Sequence, residues 1–288
     1  MNKKPKISVV FGSYNRLKYL KYTLQTVREE LADFPHEIII IDGGSTDGAT
    51  NWLAQQKDVI TIIQHNRGIF NGKPIERRSW GYFMNLGFKC AQGKYICMLN
   101  DDCLVIPNAI KNGYQLFEQK LAEGKKIGAM AFYLRNWPDE TPYKIQYALD
   151  GKMDVNYGLF LKSALEEVGY IDEDLYQFYY AGSDLCLKLI QKGYDCIDSP
   201  ESFIEHYKHA NIALRKTNKK FGNSDLQNYI EKWRDIYHEN VTANNTVQER
   251  IFNDTADTVR LFRKIGSVRL FPIKAMIRKI IKKIHPVK

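Results

Sequence analysis

The first half of the chain alternates between two spacings of apolar residues. Short uninterrupted apolar runs, typical of strands buried on both faces, alternate with segments whose apolar residues recur every three or four positions, as in an amphipathic helix. The runs predict strands over 7–11, 37–41, 59–63, 95–99 and 128–134, and the periodic segments predict helices over 17–31, 46–56, 76–91 and 107–121. This order predicts a doubly wound, mostly parallel α/β sheet with right-handed crossovers.

The pattern after residue 134 is less regular. It predicts strands over 143–149 and 156–161, a short helix over 183–192 that Gly193 ends, and a surface helix over 224–239. A polar linker follows over 240–246.

Polar residues follow each of the first four predicted strands. The clusters are Gly12–Asn15, Asp42–Ser45, Asn66–Gly68 and Asn100–Asp102. Each cluster alone is typical of a turn. Because the carboxyl ends of parallel strands meet at one edge of a sheet, where ligands bind in such folds, the four clusters together predict a nucleotide-sized site there.

The charge is concentrated at the end of the sequence. The 288 residues carry a net charge of +9. Ten of the 42 Lys and Arg residues lie in 258–288, which has no acidic residue, so the rest of the chain has 32 bases against 33 acids. A near-neutral body argues against a nucleic-acid partner, since a basic face is expected within a nucleic-acid-binding fold.

The basic end also has an amphipathic pattern. Its apolar residues form one helical stripe, made of Ile273, Met276, Ile277, Ile280, Ile281 and Ile284, and most of its bases lie off that stripe. Such a helix suits an anionic membrane surface, and residues 260–288 are the predicted contact. A helix that packs on the body with a solvated basic face is the alternative.

The sequence predicts a cytoplasmic protein. No apolar run approaches the roughly 20 residues that a membrane span needs, and the first residues lack the long apolar stretch of a secretory signal. The five cysteines are odd in number and lack C-x-x-C spacing, so we expect reduced, buried thiols.

Two adjacent acids, Asp101 and Asp102, interrupt the apolar run in YICMLNDDCLV. Adjacent carboxylates repel each other and are costly to bury without a partner. Either both acids cap the following turn, or they hold a hard divalent cation, which prefers carboxylate oxygens. In the second case, Mn²⁺ or Mg²⁺ would neutralise a leaving diphosphate.

Four segments resemble family 2 glycosyltransferases in their order and spacing. They are SVVFGSYNR, EIIIIDGGSTDGA, MNLGFKCAQGKYICMLNDDCLVIPNAI and GYIDEDLYQFYYAGSDLCLKLIQKGY, and the resemblance covers about residues 6–207. It implies the GT-A fold, a Rossmann-like mostly parallel sheet. It also implies direct displacement with inversion, a nucleotide-diphosphate sugar as donor, and a divalent cation, Mn²⁺ or Mg²⁺.

The resemblance implies donor-binding roles for individual residues. Ser13, Tyr14 and Asn15 would line the nucleotide pocket. Asp42 would accept hydrogen bonds from the base or the ribose. Asn85, which begins an Asn-x-Gly segment, would lie near the donor.

It implies further roles around the diphosphate. Arg78 or Arg77 would reach the diphosphate itself. An Asn-Asp-Asp segment replaces the usual Asp-x-Asp, so Asp102 is the expected metal ligand. Asp101, which could contact the same ion through water, is counted with the donor-binding residues. His206 matches a histidine that serves as a further ligand to the metal or the diphosphate.

The general base is where the resemblance fails. Inverting transfer needs a group that takes the proton from the acceptor hydroxyl. The family usually carries an acidic pair here, but that pair aligns with Ala181 and Gly182. Three explanations stay open: Asp184 is the base, an acid within 172–174 is the base, or the chain binds a donor without efficient transfer. Asp184 also fits a structural role, because the helix dipole favours an acid in the first turn by about 0.3–1 kcal/mol.

These observations predict three regions. Residues 1–207 form the GT-A domain, with a donor half over about 1–134 and an acceptor half over about 135–207. Residues 208–257 form a helical extension and linker, and 258–288 form the basic amphipathic tail. We expect transfer to a glycan or lipid-linked acceptor in surface polysaccharide synthesis, in the cytoplasm or on the inner face of the membrane. A catalytically weak nucleotide-sugar-binding protein is the alternative.

Overall fold

The computed structural model describes residues 4–137, 142–207, 212–237 and 247–252. In chain order the elements are β1 (Ile7–Ser13), α1 (Leu17–Leu31), β2 (His36–Asp42), α2 (Ala49–Leu53), β3 (Val59–Ile63), β4 (Ile69–Phe70), β5 (Lys73–Pro74), α3 (Trp80–Cys90), β6 (Tyr95–Met98), β7 (Cys103–Val105), α4 (Ala109–Ala122), β8 (Ile127–Trp137), β9 (Tyr143–Gln146), a 3₁₀ turn (Leu149–Gly151), β10 (Gly158–Leu161), α5 (Lys162–Glu167), α6 (Ala181–Gln191), β11 (Asp195–Tyr207), α7 (Ile212–Lys219), α8 (Gly222–Trp233) and β12 (Val247–Arg250).

One mixed sheet organises the described chain. Its strand order is β12-β9-β8-β10-β6-β1-β2-β3, and β11 pairs with both β7 and β8. Strands β6, β1, β2 and β3 run parallel, as the βα alternation predicts. Strand β10 is antiparallel to both of its neighbours, β6 and β8. The predicted α/β class is therefore confirmed, and the antiparallel insertion separates the fifth predicted strand from the fourth.

The core lies on both faces of this sheet. Successive side chains of a strand point to opposite faces, so Val9 and Phe11 pack with α1 and α4, while Val10 packs with α3 and α6. All three side chains are completely buried. Burial on both faces explains why the strands appear as continuous apolar runs rather than as an alternating pattern.

Helix α1 fixes the segment that follows β6. The hydroxyl of Thr23 donates to the carbonyl of Cys103 at 2.7 Å, and the Thr26 hydroxyl accepts from the Val105 N–H at 3.2 Å. Buried Glu30 accepts from the N–H of Asn108, at 2.7 Å, and from two further N–H groups at the start of α4. These bonds satisfy the open amides of that helix end and hold β7 in place beside the acid pair.

The helix predicted after β2 and the segment after β3 differ from the structure. The helix predicted over 46–56 extends only over Ala49–Leu53, because Ser45 bonds to Asp42 and Gly48 enters the helix with a left-handed φ of 92°. The hairpin β4–β5 was not predicted from the sequence, although Asn71 and Gly72 at its turn have φ values of 49° and 74°, as a type I′ turn requires.

Parts of the predicted extension lie outside the described residues. Of the region 208–257, the structure describes 212–237 and 247–252. The predicted basic tail, 258–288, lies wholly outside them.

Close packing of α3 on the sheet predicts a specific cost for Gly87→Ala. A Cβ at Gly87 would lie 2.4 Å from Val10 Cγ1 and 2.7 Å from Ile41 Cδ1. We expect the substitution to lower the free energy of unfolding by about 1–3 kcal/mol, as overpacking does. Urea denaturation measures this change.

Gly182→Ala is the matched control, since Gly182 is also helical and a Cβ there would meet nothing within 4 Å. It should be neutral or stabilise by up to about 1 kcal/mol through helix propensity. Equal effects of the two substitutions would contradict the packing argument.

Candidate functional site

A cleft of about 300 Å³ lies at the carboxyl-terminal edge of β1, β2 and β6. We call it the strand-end cleft. Its lining includes Ser13, Tyr14 and Arg16 after β1, Gly43 after β2, Asn66, Arg67, Arg77 and Arg78 before α3, Asn100, Asp101 and Asp102 after β6, Gln177, Phe178 and Tyr179 before α6, His206 from β11, and Arg215 and Asn218 from α7. All four predicted polar clusters thus contribute residues to one cavity.

The acid pair lies buried at the base of this cleft. Asp101 is 3% exposed and Asp102 is 6% exposed. The guanidinium of Arg16 bridges them, because its Nη1 lies 2.8 Å from Asp101 Oδ1 and 2.8 Å from Asp102 Oδ2. One positive charge therefore compensates two buried negative charges, and the pair keeps a net negative charge.

The surroundings shift the pKa values of the two carboxyl groups in opposite directions. Burial raises the pKa of Asp101 to about 6, against the opposing effect of Arg16 and with the support of the charge on Asp102. Burial also acts to raise the pKa of Asp102, but His206 and Arg16 outweigh it and the net pKa is lowered. Asp102 is therefore the stronger acid of the two, and it keeps its negative charge to lower pH than Asp101 does.

Two oxygens of the acid pair are available to a ligand. Asp101 Oδ2 and Asp102 Oδ1 are buried without a hydrogen-bond partner among the described residues. His206 Nε2 lies 3.5 Å from Asp102 Oδ1, and Asn136 Oδ1 holds the other ring nitrogen of His206 at 2.7 Å. This arrangement turns Nε2 toward the acid.

This donor set fits a divalent cation that a ligand helps to hold. Carboxylate oxygens and imidazole nitrogen are ordinary ligands of such ions. The described residues contain no preformed group of three His, Cys, Asp or Glu side chains that could hold a metal. Mg²⁺-type sites are commonly built from one or two carboxylates together with substrate phosphates, so phosphate oxygens would have to complete this one.

Three further arginines, Arg67, Arg77 and Arg78, also line the cleft. The Arg67 guanidinium stacks 4.9 Å from the ring of Tyr14. Arg77 donates to Asn218 Oδ1 at 2.6 Å and stacks on the ring of Phe221 at 4.8 Å. Burial and the like charge of Arg67 lower the pKa of Arg77. Neutral groups thus hold these two guanidiniums in place, which leaves their charge available to an anion.

Arg78, the predicted diphosphate ligand, is more exposed. Its guanidinium lies 3.4 Å from Glu76 Oε2, and half of its side chain is open to solvent. Its backbone is fixed, since Asn66 Oδ1 accepts from its N–H at 2.6 Å and Asn66 Nδ2 donates to its carbonyl at 3.2 Å. The side chain can therefore move while its anchor stays in place.

Three predicted donor-binding residues support the cleft without lining it. Asp42 accepts from the N–H groups of Gly44 and Ser45 at 3.0 and 2.8 Å, and also from the hydroxyls of Ser45 and Thr50. Asn15 Oδ1 accepts from the Thr46 N–H at 2.7 Å. These bonds shape the loops after β1 and β2, and they engage the polar atoms that were expected to bind the nucleotide.

Asn85 is the third of these supporting residues. It is 2% exposed, and its side chain bonds to both the N–H and the carbonyl of Ile171, at 3.1 and 2.8 Å. Its amide also donates to Glu173 Oε1 at 2.7 Å. Together with the close packing at Gly87, this gives the Asn-x-Gly segment a structural explanation.

Asp184, the predicted general base, is also absent from the cleft lining. It is completely buried. Its Oδ1 accepts from Tyr176 Oη at 3.0 Å and from Trp233 Nε1 at 2.8 Å, and Lys232 Nζ lies 2.8 Å away. The carboxylate therefore joins α6 to α8, and in this geometry no acceptor hydroxyl can reach it.

The acids upstream of α6 are engaged as well. Asp172 accepts from the N–H of Leu175 at 3.2 Å and lies 3.3 Å from Lys232 Nζ. Glu173 accepts from Asn85 and from Lys89. Among the described residues, Asp101 and Asp102 are the acids that line the cleft.

Arg16 and Asn218 are the site residues that sequence reasoning missed. Arg16 ends the segment SVVFGSYNR and directly follows the predicted nucleotide residues, and an arginine beside a strand end was a usable signal. Asn218 lies on α7, far along the chain from the cleft strands, and no local pattern marks it.

Residues 8–124 match the family model described as "Glycosyl transferase family 2". This segment belongs to glycosyl transferase family 2. Two curated relatives support the assignment. Glycosyltransferase GlyG of Streptococcus pneumoniae is 30% identical over 121 residues, which are 41% of this chain and 36% of the relative. Chondroitin synthase of Escherichia coli is 27% identical over 108 residues, or 36% of this chain and 14% of the relative. The chain thus spans about a third or less of the length of these relatives.

Solved structures show that the family 2 segment is part of a GT-A fold. A mannosyltransferase from Pyrobaculum calidifontis, solved in complex with GDP-Man and Mn²⁺, aligns with a TM-score of 0.56 and 17% identity. The alignment covers 80% of this chain and 65% of the mannosyltransferase. The GT-A prediction is therefore confirmed. No helix within the described ranges is long and apolar enough to cross a membrane.

The geometry around Asp184 predicts a loss of stability rather than of binding. We expect Asp184→Ala to lower the free energy of unfolding by about 3 kcal/mol, because it leaves Lys232 without its buried partner and the Trp233 N–H without an acceptor. Denaturant unfolding measures this loss, and Asp174→Ala, at an exposed position of the same region, is the control. An Asp184→Ala protein as stable as the control would contradict the structural role.

Proposed function

We propose that this protein transfers a sugar from a nucleotide-diphosphate sugar, with inversion and with the help of Mn²⁺ or Mg²⁺. The observation that carries the proposal is the acid pair, two of whose oxygens lack a hydrogen-bond partner among the described residues, in one cleft with the guanidiniums of Arg67, Arg77 and Arg78. Negative charge at the base suits a cation, and positive charge on the wall suits a diphosphate.

Each side chain of the cleft has a role in this proposal. Tyr14, with Arg67 stacked on it, offers a flat surface to the nucleotide base. Arg77 and Arg78 bind the diphosphate, and Asp102 and His206 hold the cation while Asp101 and Arg16 keep Asp102 in place. When bound, the cation supplies positive charge that stabilises the leaving diphosphate.

The transfer itself is a single displacement. An acceptor oxygen forms a bond to the anomeric carbon as the bond from that carbon to the diphosphate breaks, and the nucleoside diphosphate leaves with the electron pair. The acceptor proton passes to a general base other than Asp184, since Asp184 is enclosed by its own partners.

The relatives support a glycan as the product. One is a chondroitin synthase, and a structural neighbour was solved with GDP-Man and Mn²⁺. We propose a glycan or lipid-linked acceptor, a place in surface polysaccharide synthesis, and a cytoplasmic location at the inner face of the membrane.

A second candidate is a protein that binds a nucleotide sugar and transfers it weakly. Two observations favour it: Ala181 and Gly182 carry no carboxyl group, and Asp184 is buried away from the cleft. Donor turnover measured with and without Mn²⁺ or Mg²⁺ separates the candidates. Tight nucleotide binding without turnover of any donor supports the second candidate, and cation-dependent turnover supports the first.

Asp102→Ala tests the proposed cation site. We expect Mn²⁺-dependent binding of UDP or GDP to weaken at least about tenfold, since losing a direct ligand costs no less than losing a supporting partner. Titration calorimetry with and without Mn²⁺ measures the effect. Asp58→Ala, at an exposed acid that pairs with Arg28, should leave binding unchanged. Unaltered cation-dependent binding in Asp102→Ala would refute the assignment.

We also propose that residues 260–288 bind an anionic membrane surface. The support is the sequence pattern of one apolar stripe with bases beside it. Deleting 266–288 should reduce sedimentation with vesicles that contain anionic lipid, because it removes most of that stripe. Equal sedimentation of the full and shortened chains would count against the proposal.

A further inference from the structure

The β4–β5 hairpin exposes two large apolar side chains beside the strand-end cleft. Ile69 is 76% exposed and Phe70 is 69% exposed. Neighbouring strand residues point to opposite faces, so the hairpin is apolar on both of its faces. Pro74, which pairs with Ile69 across the hairpin, is exposed as well.

The hairpin has a defined shape that can present this tip. Its two-residue Asn71–Gly72 turn has both φ values positive, which matches the twist of the flanking strands. The N–H of Ile75 donates to the carbonyl of Gly68 at 2.9 Å and closes the base. Next to that base, the side chain of Asn66 bonds to both the N–H and the carbonyl of Arg78. The tip therefore projects from a base that is part of the cleft wall.

One basic residue lies at the apolar tip, and three more lie at the base of the hairpin, where they line the cleft. Residues 66–78 contain Arg67, Lys73, Arg77 and Arg78 against a single acid, Glu76. Lys73 is exposed and pairs with Phe70 at the tip itself. An apolar tip with cationic flanks matches the layers of an anionic lipid surface, where acyl chains lie beneath negative headgroups.

We propose that this hairpin, residues 66–78, inserts its tip into the interface of an anionic membrane. A protein groove would cover one face of a two-stranded hairpin, whereas insertion into lipid covers both apolar faces. The charge of Lys73 at the tip favours anionic headgroups over a neutral surface. This contact is separate from the one proposed for residues 260–288 and does not depend on sugar transfer.

Insertion would bring the cleft to the membrane surface. Arg67, Arg77 and Arg78 connect the hairpin to the cleft wall, so an acceptor anchored in the membrane would meet the site without leaving the lipid. The hairpin thus positions the enzyme on its substrate surface, whereas the acid pair acts at the reaction centre.

The test uses the full chain and vesicles of phosphatidylcholine with phosphatidylglycerol. Phe70→Trp should show added fluorescence quenching by lipids brominated on their acyl chains, relative to the wild type with its four native tryptophans. Ile236→Trp, at a position 48% exposed after α8, is the control and should add none. In a second measurement, Ile69→Ser with Phe70→Ser should weaken vesicle partitioning about tenfold, and Ile236→Ser should not.

The outcomes decide the proposal whether or not the tail also binds lipid. Added quenching at residue 70 together with weaker partitioning of the double serine variant supports it. Absence of added quenching overturns it, even if the whole protein binds vesicles. A wild-type dimer that the double serine variant converts to monomer, without any change in partitioning, overturns it in favour of self-association. Unchanged melting temperatures of the variants show that the fold is intact.

Discussion

The burial of two adjacent carboxylates is the constraint on which the rest of the site depends. Removing a carboxylate from water costs several kcal/mol, and two neighbours add mutual repulsion. Arg16 offsets part of this cost with one guanidinium shared between Asp101 and Asp102. The remaining negative charge shares the cleft with Arg67 and Arg77, whose guanidiniums contact neutral groups.

The scaffold around the acid pair is built to keep that geometry. Helix α1 supplies Arg16 at its start and then bonds through Thr23 and Thr26 to β7, the strand that follows the pair. Strand β11 pairs with β7 on its other side and carries His206 opposite Cys103. Thus α1 and β11, which both contact β7, also provide two partners of Asp102, the Arg16 guanidinium and the His206 imidazole. Packing and site electrostatics are therefore set by the same contacts.

Much of the fold could be predicted because its signals are local. The apolar run of β3 and the periodic pattern of α1 gave their observed bounds, Val59–Ile63 and Leu17–Leu31, since burial on both faces or along one stripe shows directly in the sequence. The position of β10 could not be predicted in this way. Its place between β6 and β8 depends on pairing between distant segments, and the apolar run alone carries no information about direction.

In the candidate site, too, local features could be predicted from the sequence and long-range packing could not. A motif fixes where a residue stands along the chain, but tertiary packing decides where its side chain points. Asp102 and His206 reach the cleft, whereas Asp42, Asn85 and Asp184 turn inward and bond to their own surroundings.

The inward position of the Asp184 side chain has a physical cause. Its helix packs against α8, where Lys232 and Trp233 compete for the carboxylate, and a buried acid with three donors gains more from them than from solvent. The first turn of α6 therefore joins α6 to α8, and open space at Gly182 lies where the resemblance to family 2 implies a carboxyl group.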